Sequence, residues 1–276
     1  MNPNAPHPSS PIAMIRSIWT HRNLIHQLIK REISSRYRGS FLGLAWSFFN
    51  PLLMLSIYTF VFSVVFKARW GLDTEQNKAE FALVLFVGLI IHSLLAEVIT
   101  RAPTQILSNI NYVKKVVFPL EILSVVNIAA ALFHSVLSFA VLVLALVFFS
   151  GVPSLTAILT PLTVLPIIPL LLGLGWIFSA LGVYIRDIAQ FIGLTVTALM
   201  FLAPIFYPVG AIPTELQTVL LLNPITLPIE ETRAVLLFST PPDWLAITFY
   251  WVVSLTICSI GFWWFQKSRK GFSDVI

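Results

Sequence analysis

The chain has 276 residues, of which 57% are hydrophobic and only 11% charged. Soluble domains are about a quarter charged, so lipid is the expected solvent, and the 22 Phe and 8 Trp suit apolar cores and membrane interfaces. The net charge of +5 does not mark a nucleic-acid binder, because the cations sit between long apolar runs and not on one face; the single Cys258 excludes an internal disulfide and has no partner for a metal site.

Residues 1–14 are polar and Pro-rich and read as a disordered N-terminus. The first apolar run starts at Phe41, beyond the reach of a signal peptide, so the N-terminus is expected to be retained. Residues 15–38 predict an amphipathic helix at a membrane interface. Ile15, Ile18, Trp19, Ile25, Leu28, Ile29 and Ile33 fall on one side, opposite Arg16, Lys30, Arg31 and Arg38. Glu32 and Arg36 are spaced to pair at i, i+4.

A membrane-crossing helix needs about 20 apolar residues. Residues 41–66, 81–100, 121–149, 157–183, 188–207 and 245–265 meet or approach that length, which predicts an all-α integral membrane protein with six transmembrane helices. The third and fourth come from one uncharged run between Glu121 and Arg186, split at Ser150-Gly151-Val152-Pro153-Ser154. Six spans put both termini on one side. All Lys and Arg except Lys67, Arg69, Lys78 and Arg233 lie in 1–40, 101–118, 184–187 and 266–276, so the positive-inside rule puts both termini in the cytoplasm. Residues 208–243 contain an uncharged stretch, Leu216 to Ile229, broken by Asn223-Pro224, which predicts short re-entrant helices between spans 5 and 6.

Chemistry is sparse. No phosphate-binding loop of the form G-x-x-x-x-G-K-[ST] occurs, so the chain is not expected to hydrolyse ATP or to be an enzyme. The five His residues are scattered, and no metal site is expected. Glu97 lies one turn before Arg101, and a local ion pair between them is the expected account of a carboxylate near the end of span 2. His134 lies deeper and is expected to be a neutral imidazole bonded to a neighbouring helix, since no chain of ionisable groups crosses the bilayer. Gly39-x-x-x-Gly43 and Gly175-x-x-x-Ser179 match small-residue helix-packing motifs. Glu230 and Glu231 are the only adjacent carboxylates, and with Arg233 they read as a gate or a solvated turn.

The stretch Ser35-Arg36-Tyr37-Arg38-Gly39-Ser40-Phe41-Leu42-Gly43-Leu44-Ala45-Trp46, continuing through Asn50-Pro51-Leu52 to Tyr58-Thr59-Phe60-Val61-Phe62, resembles the first span of the permeases of bacterial polysaccharide-export ABC transporters, the type-2 permeases that move O-antigen, capsule or teichoic acid. Tyr184-Ile185-Arg186-Asp187-Ile188 resembles their inner turn between spans 4 and 5, and Pro204-Ile205-Phe206-Tyr207-Pro208 with Leu222-Asn223-Pro224 their outer gate region. The similarity covers essentially the whole chain after about residue 14.

The resemblance implies a homodimer in the bacterial inner membrane, with two copies of an ATP-binding subunit that carry ATP and Mg; no cofactor is implied on this chain. It implies a coupling helix over about 104–115, with Asn109, Asn111, Tyr112, Lys114 and Lys115, joined by Arg186 and Asp187, as the ATPase-subunit interface. Sugar CH faces stack on aromatic rings while the hydroxyls stay hydrated, so Trp46, Phe49, Tyr58, Phe201, Phe206 and Tyr207 are the candidate channel lining. Asn223, Pro224, Glu230, Glu231 and Arg233 are the candidate gate. The expected cargo is a lipid-linked polysaccharide, O-antigen before capsule or teichoic acid. A drug or lipid permease, and a membrane enzyme acting on a lipid-linked sugar, are the competing readings.

Overall fold

A computed structural model describes residues 8–65, 78–114 and 118–276 of the chain, and among them every regular element is helical. The helices are α1 (Pro11–Thr20), α2 (Arg22–Arg36), α3 (Trp46–Tyr58), α4 (Lys78–Gln105), α5 (Ile110–Lys114), α6 (Ile122–Ser150), α7 (Thr160–Val164), α8 (Ile167–Tyr184), α9 (Ile188–Phe201), α10 (Thr214–Leu221), α11 (Thr226–Leu236), α12 (Trp244–Ser268) and α13 (Phe272–Val275).

Among the described residues, five segments are long and apolar enough to cross a membrane: Gly43–Val61, Phe81–Gln105, Ile122–Ser150, Leu155–Tyr184 and Trp244–Val275. The expected fifth of six spans, 188–207, is helical only over Ile188–Phe201, and its remaining residues form turns because Pro204 and Pro208 remove backbone donors. The first span is α3 continued by a π-helical stretch, Thr59–Val65, where the Thr59 hydroxyl bonds back to the Leu55 carbonyl at 2.7 Å. The fourth begins as a 3-10 turn at Leu155–Leu159 before α7 and α8.

The polar N-terminus differs from expectation. Helix starts at Pro11, with Ser10 as N-cap accepting from the Ala13 amide at 3.2 Å, so residues 11–14 belong to an ordered element. The expected single helix over 15–38 is two helices that break at His21 and stop at Arg36. α2 buries Ile25 and Leu28, whereas α1 buries nothing fully and leaves Ile15 and Trp19 exposed. Gly39 and Gly43 do not pack helices: both hold left-handed backbone, φ +84° and +51°, with open space around them.

The bundle is organised on α4. Its most apolar window is 83% buried, against 11% for Gly43–Val61. It packs on α6, α8 and α9 and supplies more of the larger apolar core than any other helix, including Leu85, Ile91, Leu95 and Val98. A smaller core joins α2, α8 and α12 at the end that carries both termini, through Leu28, Trp176, Phe262 and Phe272. The most extensively packed helix pair is α8 with α12: a Cβ on Gly173 would overlap the backbone of Ile257, and one on Gly261 the backbone of Gly173. This pair does the close packing expected of Gly175 and Ser179; a Cβ on Gly175 would meet only the Ser124 side chain, at 3.7 Å.

Candidate functional site

The N- and C-terminal segments meet at one end of the bundle, where two polar clusters lie. In the first, the Arg36 guanidinium at the end of α2 pairs with the Glu97 carboxylate of α4 and contacts His134 Nδ1 of α6 at 2.8 Å. His134 Nδ1 also lies 3.2 Å from both Glu97 oxygens, and its Nε2 lies 3.0 Å from the Tyr37 hydroxyl. Arg101 donates to Glu32 at 2.7 Å, and Arg36 lies 3.8 Å from the same carboxylate. The expected Glu97–Arg101 pair is therefore replaced. Both partners turn to α2, because a partly buried carboxylate gains more from a cation on a second packed helix than from a solvated neighbour on its own. His134 bonds to neighbouring elements, as its depth in the apolar run suggested.

The second cluster ties the termini to α8. Glu121 accepts from the Ser17 hydroxyl at 2.7 Å and from Arg269 at 2.8 Å, Arg269 also donates to the Phe118 carbonyl at 2.6 Å, and the Trp176 indole donates to the Glu121 carbonyl at 2.9 Å. Sequence reading found none of these four partners. They are far apart along the chain, and only the approach of α1, α8 and α12 brings them together.

The loop expected as a coupling helix over 104–115 is not one helix. α4 runs on to Gln105, a 3-10 turn spans Leu107–Asn109, and α5 follows. Asn111 and Lys114 are exposed; Lys115 lies outside the described residues. Tyr112 is held inward, its ring stacked on Phe118 at 4.2 Å and its hydroxyl accepting from Arg31 at 3.0 Å. Asn109 caps its own chain by donating to the Gln105 carbonyl at 2.9 Å. Arg186 and Asp187 are exposed at the turn before α9, at the same end of the bundle, as the Tyr184 hydroxyl bond to the Ser268 carbonyl at 2.7 Å fixes. Asn111, Lys114, Arg186 and Asp187 are thus free to meet a partner, while Tyr112 and Asn109 shape the loop.

The opposite end holds the candidate gate. α10 is mostly exposed, whereas α11 is mostly buried against the Leu155–Val164 segment and α4. Asn223 joins them: its amide donates to the Leu199 carbonyl at 2.9 Å and its Oδ1 accepts from the Ile225 amide at 3.2 Å. The Pro224 carbonyl accepts from the Tyr250 hydroxyl at 2.7 Å. Arg233, read as part of a gate or a solvated turn, is 1% exposed. Its guanidinium donates to the carbonyls of Val84 at 2.9 Å, Pro204 at 2.5 Å and Ile205 at 3.2 Å, and to Glu230 at 3.0 Å. Five donors on a rigid plane let one side chain clamp α11 to α4 and to the turn after α9. Glu231 instead accepts from the Asp243 amide at 2.8 Å; burial pushes its carboxyl above the usual range.

The six candidate channel aromatics separate. Phe49 and Phe201 are exposed on α3 and α9, and Trp46 is half-buried. Tyr58 and Phe206 pack on the main core. Tyr207 donates to the Phe201 carbonyl at 2.6 Å, and the Phe201 and Phe206 rings stack at 5.8 Å. α9 also exposes Gln190, Leu194 and Thr197 on the face of Phe201, spaced i, i+4, i+7 and i+11. Composition hides that stripe, since three of the four residues are ordinary in an apolar helix. No group of three or more His, Cys, Asp or Glu suited to a metal occurs among the described residues.

Residues 23–237 match the model of the ABC-2 type transporter family. The chain is also similar to the O-antigen export system permease protein RfbA of Myxococcus xanthus, 27% identical over 267 residues that cover 96% of this chain and 100% of that one. Two proteins of that same description from Klebsiella pneumoniae are 25% and 24% identical, each covering 92% of this chain and 95% of its own length.

Proposed function

Because the chain belongs to the ABC-2 type transporter family, as a membrane permease subunit, we propose that it carries lipid-linked O-antigen across the bacterial inner membrane, driven by ATP hydrolysis on a separate ATP-binding subunit. The end-to-end similarity to three O-antigen export permeases carries the choice of cargo. Six crossings, both termini in the cytoplasm and a homodimer with two ATPase subunits complete the reading; the segregation of Lys and Arg supports the orientation.

In this reading the exposed Asn111, Lys114, Arg186 and Asp187 meet the ATPase subunit, and Lys115 joins them from outside the described residues. The exposed faces of α3 and α9, with Phe49, Phe201 and Thr197, line the path of the polymer. Rings give stacking without strong hydrogen bonds, so the polymer slides instead of lodging. Trp46, Tyr58, Phe206 and Tyr207 shape that wall from behind. Asn223, Pro224, Glu230, Glu231 and Arg233 hold the outer gate. Neither ATP nor Mg binds this chain.

The test is surface O-antigen in a deletion strain carrying wild type or an Asn111→Ala, Lys114→Glu double variant, with membrane insertion and co-purification of the ATPase subunit measured alongside. Lost co-purification and lost export with insertion retained is the expected result. Unchanged surface O-antigen in the deletion strain itself would remove the cargo assignment.

A further inference from the structure

The end of the bundle that carries both termini has cations of two kinds. Arg36, Arg101 and Arg269 each pair with a carboxylate. Arg16, Arg22 and Lys267 are exposed, and among the described residues no carboxylate pairs with them. Two of these three lie against tryptophan. The Arg22 guanidinium is 5.3 Å from the Trp19 ring centre and donates to the Trp19 carbonyl at 3.1 Å; the Lys267 ammonium is 5.0 Å from the Trp263 ring centre. Both rings are exposed.

The helix that carries Trp19 is apolar on two faces. Met14 and Ile18 pack inward on the core that joins α2, α8 and α12. Ile12, Ile15 and Trp19, spaced i, i+3 and i+7, form an open stripe along another face. Contact with α12 sets the depth of that stripe. The Met14 sulfur lies 3.8 Å from Cys258 Sγ, and Cys258 precedes Trp263 in α12 by a rise of about 7.5 Å. α1 therefore lies along the last turns of a membrane span, at the boundary of headgroups and acyl chains, where an open apolar stripe meets lipid. Tryptophan belongs at that depth, and a cation held against its ring is held beside the lipid phosphates.

Charge then selects the lipid. A zwitterionic headgroup carries its own counter-ion, so unpaired cations gain little from it. An anionic phospholipid brings a phosphate with no such partner.

We propose that α1 and the last turns of α12 form a binding surface for anionic phospholipid in the leaflet beside both termini, with Trp19 and Trp263 at headgroup depth and Arg16, Arg22 and Lys267 on the phosphates. The surface rests on the membrane reading of the chain and not on its cargo. It holds α1, which buries no residue fully, against the bundle.

The test is lipid retention on the purified full-length chain, read by native mass spectrometry after incubation with equimolar phosphatidylglycerol and phosphatidylcholine of identical acyl chains. A surface cation favours anionic lipid by about fivefold, so wild type is expected to retain phosphatidylglycerol by at least about that factor. An Arg22→Gln, Lys267→Gln double variant is expected to lose most of the preference. A Lys30→Gln, Arg38→Gln double variant removes two other exposed cations with the same change in charge and is expected to keep it. No preference in wild type would overturn the proposal. So would equal losses in the two double variants, because diffuse charge would then account for binding. Ile15→Cys tests the occupant of the stripe in native membranes: labelling by a lipid-soluble maleimide and not by a water-soluble one is expected. A disulfide between two copies of Ile15→Cys would give the stripe to a second copy, and protection that requires the ATP-binding subunit would give it to that subunit; either result overturns the lipid assignment.

Discussion

The two ends of α4 are held by different chemistry. Toward its start, Arg233 is anchored on backbone: it donates to the carbonyls of Val84, Pro204 and Ile205, besides the Glu230 carboxylate. Toward its end, Glu97 and Arg101 bind only side chains, on α2 and α6. A backbone carbonyl cannot leave without moving its element, so the Arg233 end is a fixed joint. A network of carboxylates, guanidiniums and an imidazole can exchange partners at small cost, so the Glu97 end is the one suited to move when a partner pulls on the inner loop. One long buried helix thus carries a rigid connection to α11 and an adjustable one to α2.

Breaking the fixed joint should have the largest effect. Arg233→Met leaves the Pro204 and Ile205 carbonyls without their donor in a buried site, and a loss of about 3–5 kcal/mol is expected, read as a large fall in the thermal midpoint in detergent. Arg233→Lys should recover only part of it, because an ammonium cannot span the carbonyls of Val84, Pro204 and Ile205 as a planar fork does. Full recovery by Lys would show that charge and not geometry makes the joint.

The adjustable end should show the opposite pattern. Arg36→Met takes the guanidinium from Glu97 in a partly buried site, leaving the His134 contact, and is expected to cost about 2 kcal/mol. Adding Glu97→Leu should return most of that, since removing both partners of an ion pair is far milder than removing one. A double variant as unstable as the single would mean that His134 and Tyr37 depend on the pair for their own placement.

Smaller effects sharpen the comparison at each end. Asn223→Ala removes two bonds in the link between α10 and α11, and a loss of about 1–2 kcal/mol is expected, with export reduced if that link positions the gate. Tyr112→Phe removes only the hydroxyl that accepts from Arg31 and keeps the stack on Phe118. About 0.5–1 kcal/mol is expected, with ATPase-subunit binding retained. Loss of binding in that variant would assign the Tyr112 hydroxyl to the partner contact itself.

Sequence alone determined the apolar, membrane-spanning character of this protein and its helical class, because burying a helix in lipid requires a run of about 20 apolar residues that composition cannot conceal. The Arg-Tyr-Arg block and the Arg-Asp turn carried the family, and the positive charges carried the expected orientation. Local rules also foresaw the Glu32–Arg36 approach and the break at Asn223-Pro224. They failed where partners are distant in sequence. Glu97 looked paired with Arg101 because i, i+4 is the only spacing a linear reading can score, whereas packing of α2 on α6 and α4 offered Arg36 and His134. Arg233 reads in the sequence as part of a gate or a solvated turn beside two glutamates, whereas only the fold reveals the three carbonyls that converge on it from α4 and the turn after α9. Periodicity decides which residues enter the membrane; it does not decide which polar groups meet there. That choice belongs to tertiary structure, because a buried charge or amide is tolerated only where the packed helices deliver its partners.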